Sequence, residues 1–412
     1  VILDDTRAEA GGTTLAPPPL AGLVVLDMSR ALAAPLCAMM LADLGATVIK
    51  VEDPKGGDQS RAWGTPIHGG ERTYFLASNR SKKSVAIDFS KPEGADLVRA
   101  LAGKSDILVE NFMRRSLPKY GLDPDALLAL NPRLIYCSIS GYGRTGPMAD
   151  RPGYDTVIQA ESGLMSVTGE ADGEPVKVGT PVSDTIAGIY AAQAILAALI
   201  SRGTTGRGQH IDISMLDCSV AALVSVGVNA LLLGKDAERH GNGHADVVPQ
   251  NIYATADGRI VVHIGTDAQF RRLGDVLKAP GLADDERFAT NWARKLNRDA
   301  VDRVLGEAFA RETSAHWIAR LHAADLSAGI VKSVLDAVTA PEIAARGMVM
   351  TVDHSTAGAV KLIASPIKLG GCRPPPPSPP PLLAEHSDEI LGHFLGLDAG
   401  RIADLREKGV VA

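Results

Sequence analysis

The chain has 412 residues, 45% of them hydrophobic and 22% charged, with a formal net charge of -6. That length exceeds what one hydrophobic core usually serves and favours two domains, and the apolar content excludes a disordered chain. The acidic balance, an aromatic content of only 4% and the lack of a long basic run argue against a nucleic-acid or anionic-membrane surface.

The N-terminal residues 1–19 are polar and rich in Pro and Gly, without a basic-then-apolar secretory pattern, and are expected to form a loose extension. From Leu23 the pattern turns regular. The run Leu23–Met28 reads as a buried strand, Leu32–Leu44 as a helix stopped by Gly45, and Thr47–Glu52 as a second strand, which together make a βαβ unit. Further strands are expected at Val85–Phe89, Ile107–Glu110 and Leu134–Ile139, with a helix over Pro92–Leu101, so a doubly wound parallel sheet fits. Thr185–Ser201 reads as a long Ala-rich helix, Gln209–Ser214 as a strand and Leu216–Leu233 as a helix leading away from the sheet. The most apolar stretch of the chain, Ile186–Ile200, carries Tyr190 and Gln193 and is shorter than a bilayer span.

Between 235 and 340 the rhythm changes to short strands, Asn251–Thr255 and Arg259–Ile264, and amphipathic helices. A separate α+β domain is expected there, with 20–234 and 341–412 together forming a large α/β domain. The run Arg373–Leu382 reads as extended polyproline, and Ser387–Leu395 as helix. Cys37, Cys137, Cys218 and Cys372 are widely spaced with no C-x-x-C pair, which suits small buried side chains in a reducing compartment, here the cytoplasm.

Gly141-Tyr-Gly143-Arg-Thr-Gly146 spells G-x-G-x-x-G after a strand, but Pro147 and Pro152 fall where a phosphate-capping helix would start. A glycine turn that lets a backbone approach a ligand fits better than a dinucleotide fingerprint. Asp155 follows in Gly153-Tyr154-Asp155, ahead of a helical pattern over Val157–Leu164. An N-cap would account for it, and an ionised carboxylate at a helix N-terminus would also suit a nucleophile. Asp184, after Ser183 and before an apolar helix, carries the same ambiguity. His240 and His244 are separated by Gly241-Asn242-Gly243, which breaks the helix that paired zinc ligands need, so no metal is expected. Arg80, Lys82 and Lys83 read as a basic patch in a loop, a solvated face or a seat for phosphate.

These segments, taken in order, resemble the class III CoA-transferases, which include the formyl-CoA and carnitine CoA-transferases and have the α-methylacyl-CoA racemases as close relatives. The resemblance runs from about Leu20 to Leu395 and rests on Leu44–Glu52, Asn79–Ser84, Val109–Phe112, Ser140–Pro147, Gly153–Asp155, Thr205–Gln209, Arg239–His244 and Leu382–His386. It implies a Rossmann-like large domain with a doubly wound parallel sheet, a smaller α+β domain and an interlocked homodimer. It implies CoA transfer between carboxylic acids, with small dicarboxylates and succinyl-CoA as the expected substrates, Asp155 as the nucleophile, and aspartyl anhydride and enzyme-CoA thioester intermediates. No cofactor beyond CoA itself is expected, nor nucleic-acid or membrane partners. CoA contacts would fall on Ala33, Asn79, Arg80, Lys82, Lys83, Asn111, Lys119 and Tyr142, and backbone amides of Gly141–Gly146 or Gly241–Gly243 would stabilise oxyanions. Where the racemases carry a histidine base, opposite an acid aligned with Asp184, this chain has Tyr154, whose reference pKa of about 10 makes it a poor base. The alternatives are an acyl-CoA racemase or epimerase, disfavoured by Tyr154, and a non-catalytic acyl-CoA-binding protein, disfavoured by Asp155.

Overall fold

The computed structural model describes residues 15–412, so most of the expected loose extension lies outside the described residues. Ala16, which that extension would include, is tied down. Its N–H donates to the Gly371 carbonyl at 3.2 Å and its carbonyl accepts from Arg373 N–H at 3.0 Å.

Two compact units emerge. The first takes the chain up to Leu164, Val178–Leu232 and Pro341–Ala412, and the second takes Met165–Lys177 and Leu233–Ala340. In the first unit, β1 (Val24–Asp27), β2 (Thr47–Glu52), β3 (Lys82–Ala86), β4 (Ile107–Glu110), β5 (Ile135–Ser140) and β6 (Gln209–Ser214) form one parallel sheet in the order β3-β2-β1-β4-β5-β6. This is the doubly wound arrangement, and its strand order reverses between β1 and β4. Ile107, Leu108 and Val109 of β4 are fully buried because helices cover both faces. One face packs α1 (Ala33–Asp43), α6 (Val182–Thr205) and α7 (Met215–Ala221), and the other packs α3 (Pro92–Gly103), α4 (Pro124–Leu130) and the C-terminal helix Ala399–Glu407. Two shorter helices, α2 (Thr73–Ser78) and α5 (Asp155–Glu161), and an antiparallel hairpin of Val349–His354 with Gly358–Ile363 complete this unit.

The third strand starts at Lys82 rather than Val85, because Lys82 and Ser84 turn into the core, where buried partners satisfy them. At 24 residues, α6 is longer than the sequence predicts. It is long and apolar enough to cross a bilayer, yet its stripe of Ala187, Ala191, Ile195 and Ala198 is spent on the core beneath the sheet. The expected continuous helix Leu216–Leu233 is broken into α7 and α8 (Val224–Leu233), bent by 80° where Val224 adopts φ 44°. The proline run is extended as expected, but its end is buried: Pro381 accepts a hydrogen bond from Arg61 at 3.0 Å.

The second unit holds an antiparallel sheet, β7 (Gln250–Ala254), β8 (Arg259–His263) and β9 (Ser327–Ile330), with α9 (Asp267–Val276), α10 (Asn291–Leu296), α11 (Arg298–Phe309) and α12 (Ser314–Ala323). Phe270, Phe309, Trp317 and Leu321 lead its core. Met165–Lys177, which the sequence rhythm leaves with the large domain, groups here because Arg239 binds the carbonyls of Ser166, Glu170 and Gly173.

Candidate active site

Asp155 does not cap its own helix. Helix α5 begins at Asp155 with Tyr154 in the N-cap position, and the Asp155 carboxylate turns instead to the N-terminus of α6, 28 residues further on. Its Oδ1 accepts from Ser183 N–H at 2.9 Å and Asp184 N–H at 3.5 Å, while Oδ2 accepts from the Gln159 side-chain amide at 2.6 Å. The Gln159 carbonyl oxygen in turn accepts from Val178 N–H at 2.8 Å, which fixes the amide's orientation. The negative charge therefore sits at the positive end of a long helix with both oxygens occupied.

Asp184 stands in the first turn of α6, after Pro181 in the N-cap position, so it is not a cap either. It is half-buried. Burial, and then the negative charge of Asp155, raise its pKa to about 7, opposed only by the backbone N–H of Ala33 at the start of α1. Among the described residues no side chain donates to it. Tyr74 on α2 shares this field, with burial first and then Asp184 and Asp155 raising its hydroxyl pKa. Helix α1 comes this close because residue 188 is glycine: a Cβ there would lie 2.8 Å from the Ala33 carbonyl oxygen. The result is a carboxylate pair in which Asp155 is held by donors and Asp184 exchanges a proton near neutrality.

The glycine turn serves this pair. Gly141 and Gly153 pass so closely that a Cβ on residue 141 would meet Gly153 Cα at 2.7 Å, and Gly143 and Gly146 take φ of 81° and 80°. No helix follows Gly146 before α5, so the turn is not a dinucleotide loop. It delivers Tyr154 and Asp155, and the Tyr142 ring packs on Gly153 with its hydroxyl pKa raised by burial and by Glu161. Gly241–Gly243 belongs to the second unit, where Gly241 N–H binds the Gly169 carbonyl.

Most of the expected basic patch is not at the surface. Lys82 is fully buried and donates to Asp27 at 2.8 Å, the Pro35 carbonyl at 2.8 Å and Asn79 Oδ1 at 2.9 Å. Burial lowers its pKa to about 8. Arg80 is buried against Asp43, Asn79 is buried with its amide on the Phe75 carbonyl, and Lys83 pairs with Glu389. Asn79, Arg80 and Lys82 are spent inside the fold, because a buried cation without a partner is too costly to keep, whereas Lys83 and Glu389 pair at the surface. The Asn111 side chain is likewise committed, accepting from Arg30 N–H at 2.9 Å and donating to the Arg30 carbonyl at 2.7 Å.

Cationic groups gather elsewhere, at the β1/β4 reversal where doubly wound sheets bind ligands. A cavity of about 340 Å³ is lined by Arg30, Lys55 and Lys119, by Asp53 and Asp88, and by Phe89, Phe112 and Tyr120. Phe89 contacts Phe112 and Tyr120 edge to face, Arg30 lies 4.8 Å from the Phe112 ring centroid, and Lys119 lies 4.7 Å from that of Tyr120. Of the sequence-expected contacts, Lys119 lines this cavity, whereas Ala33 lies at the acid pair. No sequence motif marks Arg30 or Lys55, although Arg30 follows β1 in the first βα turn, where phosphate-binding groups concentrate.

The doubly wound unit thus carries an aspartate pair at a helix N-terminus and, lined by other residues, a cavity with three cationic and three aromatic side chains. Residues 20–387 match the family model described as CoA-transferase family III, and the chain belongs to that family and is a CoA-transferase. It is 41% identical over 380 residues to succinate–glutarate CoA-transferase of Agrobacterium fabrum, covering 91% of this chain and 95% of the relative. To human succinyl-CoA:glutarate CoA-transferase it is 38% identical over 398 residues, covering 95% and 90% of the two chains. The crystal structure of a CAIB/BAIF family protein from Brucella suis superposes with a TM-score of 0.84 at 40% identity, over 92% of this chain and all of that one.

Proposed function

We propose that the protein moves CoA from succinyl-CoA to a dicarboxylic acid such as glutarate, through covalent intermediates on Asp184 with Asp155 as its partner. The observation that carries this is the inequality of the two carboxylates. Both oxygens of Asp155 are engaged, one of them by an amide whose orientation is fixed, and donation into a carboxylate lowers the nucleophilicity of its oxygens. Among the described residues no side chain donates to the Asp184 carboxylate, and burial followed by the Asp155 charge raises its pKa to about 7, which makes it a basic oxygen nucleophile. This moves the nucleophile from the residue that the motif order suggests to the one beside it.

Ionised Asp184 attacks the thioester carbonyl of succinyl-CoA, giving a mixed anhydride and CoA thiolate. The thiolate attacks the aspartyl carbonyl, expelling succinate and leaving CoA on Asp184 as a thioester. The acceptor carboxylate attacks that thioester, giving a second anhydride and thiolate again. Attack of the thiolate on the acceptor's carbonyl forms the product acyl-CoA and frees Asp184. A thioester is exchanged for a thioester, so no other energy source enters. The cavity supports the donor's nucleotide: Arg30, Lys55 and Lys119 suit phosphates, and the aromatic wall suits adenine.

A homodimer belongs to the same proposal. Val224, Val228, Leu231, Leu232 and Leu233 of α8 are exposed, Leu231 to 85%, and a second copy would cover them. Four cysteines without a disulfide suit a reducing cytoplasm. The function is tested by initial rates with succinyl-CoA and a panel of mono- and dicarboxylic acids. Glutaryl-CoA formation with stoichiometric succinate release supports it, and succinyl-CoA turnover that ignores every added acid contradicts it.

A further inference from the structure

The segment Ser29–Pro35 joins β1 to the first turn of α1 and carries both halves of the site: Arg30 lines the cavity, and Ala33 packs on α6 one turn past Asp184, where a Cβ on Gly188 would lie 2.8 Å from its carbonyl oxygen, with its amide favouring ionised Asp184. Buried side chains grip its backbone along its length. Asp27 accepts from Ser29 N–H at 2.9 Å, and Lys50 donates to the Ser29 carbonyl at 2.8 Å. Asn111 bonds both backbone groups of Arg30, Asp58 accepts from Ala31 N–H at 3.0 Å, and Lys82 donates to the Pro35 carbonyl at 2.8 Å. Ala31 is held at φ 66°, a left-handed conformation that alanine disfavours and that persists only where its surroundings enforce it.

The grips are mutually tied. Lys50 lies 2.9 Å from Asp58 and 3.9 Å from Asp27, Lys82 lies 2.8 Å from Asp27, and all four side chains have 0% exposure. Two cations balance two anions. Burial works against each charge, but Lys50 and Lys82 keep Asp27 ionised, and Lys50 with the Ser60 and Ala31 amides does the same for Asp58. A buried ion cluster contributes little stability compared with apolar packing of the same volume, but removing one member strands its partners, so the four groups hold one another in place.

We propose that this cluster is the positioning device of the acid pair, with Asp58 as its pivot: by holding Ala31 N–H and Lys50 together, it keeps the first amide of α1 against Asp184. The proposal rests on Asp184 being the covalent carboxylate. The groups facing Asp184 are Asp155 from α5, Tyr74 from α2 and the Ala33 amide from α1, while Ser219 on α7 reaches Ser183 instead. Of these, only the amide favours ionisation, so its withdrawal has a definite sign.

Asp58→Asn is the test. Oδ1 of Asp58 faces the N–H groups of Ala31 and Ser60 and the Ser60 hydroxyl, and Oδ2 faces Lys50, so an asparagine must aim its NH2 at a donor in either orientation. The acid limb of kcat/KM should move up by about one pH unit, the scale of one amide bond to a carboxylate, with kcat/KM at pH 7 down about fivefold. The control is Asp43→Asn, which leaves buried Arg80 unpaired at the other end of α1 and should lower the melting temperature without moving the limb. Hydrogen exchange on the unmodified protein is the second measurement, and the Ala31 and Ala33 amides should be as protected as those of β1. An unmoved limb in folded Asp58→Asn, an equal shift in Asp43→Asn, or fast exchange at Ala31 and Ala33 would each overturn the proposal. Peptide mapping of the CoA adduct in the unmodified enzyme separates this from the reading beneath it, since an adduct absent from Asp184 defeats that reading whatever the limb and the amides do.

Discussion

Replacing Asp155 with asparagine separates the two carboxylates. The Asp155→Asn side chain keeps its shape but can accept through one oxygen only, and the Gln159 amide cannot turn to help because its carbonyl holds Val178 N–H. Either the Gln159 NH2 or the Ser183 N–H, which now bond at 2.6 and 2.9 Å, loses its acceptor. A buried donor left unpaired costs about 1–3 kcal/mol, so a lower melting temperature is expected. The electrostatic effect has the opposite sign for Asp184. Its pKa of about 7 comes first from burial, which remains, and second from the Asp155 charge, which is gone. The acid limb of kcat/KM should therefore move down by about one pH unit, roughly 1.4 kcal/mol, without reaching the ordinary carboxylate range. The assay is succinyl-CoA to glutaryl-CoA conversion from about pH 5 to 9. Reduced activity with a limb shifted to lower pH is the expected result. Loss of all turnover and of covalent adduct in a folded Asp155→Asn protein would refute the reasoning, because it would make Asp155 the covalent residue.

Gly188→Ala should lower the melting temperature. The added Cβ lies 2.8 Å from the Ala33 carbonyl oxygen, and overpacking of about 1–3 kcal/mol outweighs the helix-propensity gain of about 1 kcal/mol; a variant of equal or higher melting temperature would show that α1 yields there without strain. Lys119→Ala should raise the KM for succinyl-CoA roughly tenfold with little change in kcat, since the lost contact is equal in ground and transition states, and an unchanged KM would remove the cavity from donor binding. Asp184→Asn should alter the pH dependence of stability. A folded pKa of about 7 against 3.8 unfolded means that the native state holds more protons between these values, so this stability is present below the lower and lost as pH rises through the upper. In chemical denaturation the asparagine variant should gain on the wild type over that window, and parallel profiles would contradict the raised pKa.

The βαβ rhythm from Leu23 to Ser214 was legible because parallel strands buried on both faces read as apolar runs separated by helical periods. What the sequence hid were pairings between distant positions. Lys82 looked like a surface charge because Asp27, its partner, lies 55 residues away, and its burial also explains why β3 begins earlier than propensity suggests. Asp155 looked like a cap for the helix it precedes because nothing local reveals that it faces the start of α6. The break before Val224 carries neither glycine nor proline, so no local signal marks it. The motif order placed the chain in its family, yet choosing between Asp155 and Asp184 required knowing which oxygens were already bonded.

That choice is decided most directly by finding where CoA becomes attached. Trypsin cuts after Lys177 and so places Asp155 and Asp184 on different peptides. After incubation with succinyl-CoA without acceptor and an acid quench, mass spectrometry should show CoA on the peptide Val178–Arg202, removed by hydroxylamine and absent in Asp184→Ala. CoA found on the peptide that ends at Lys177, or retained in Asp184→Ala, would contradict the account.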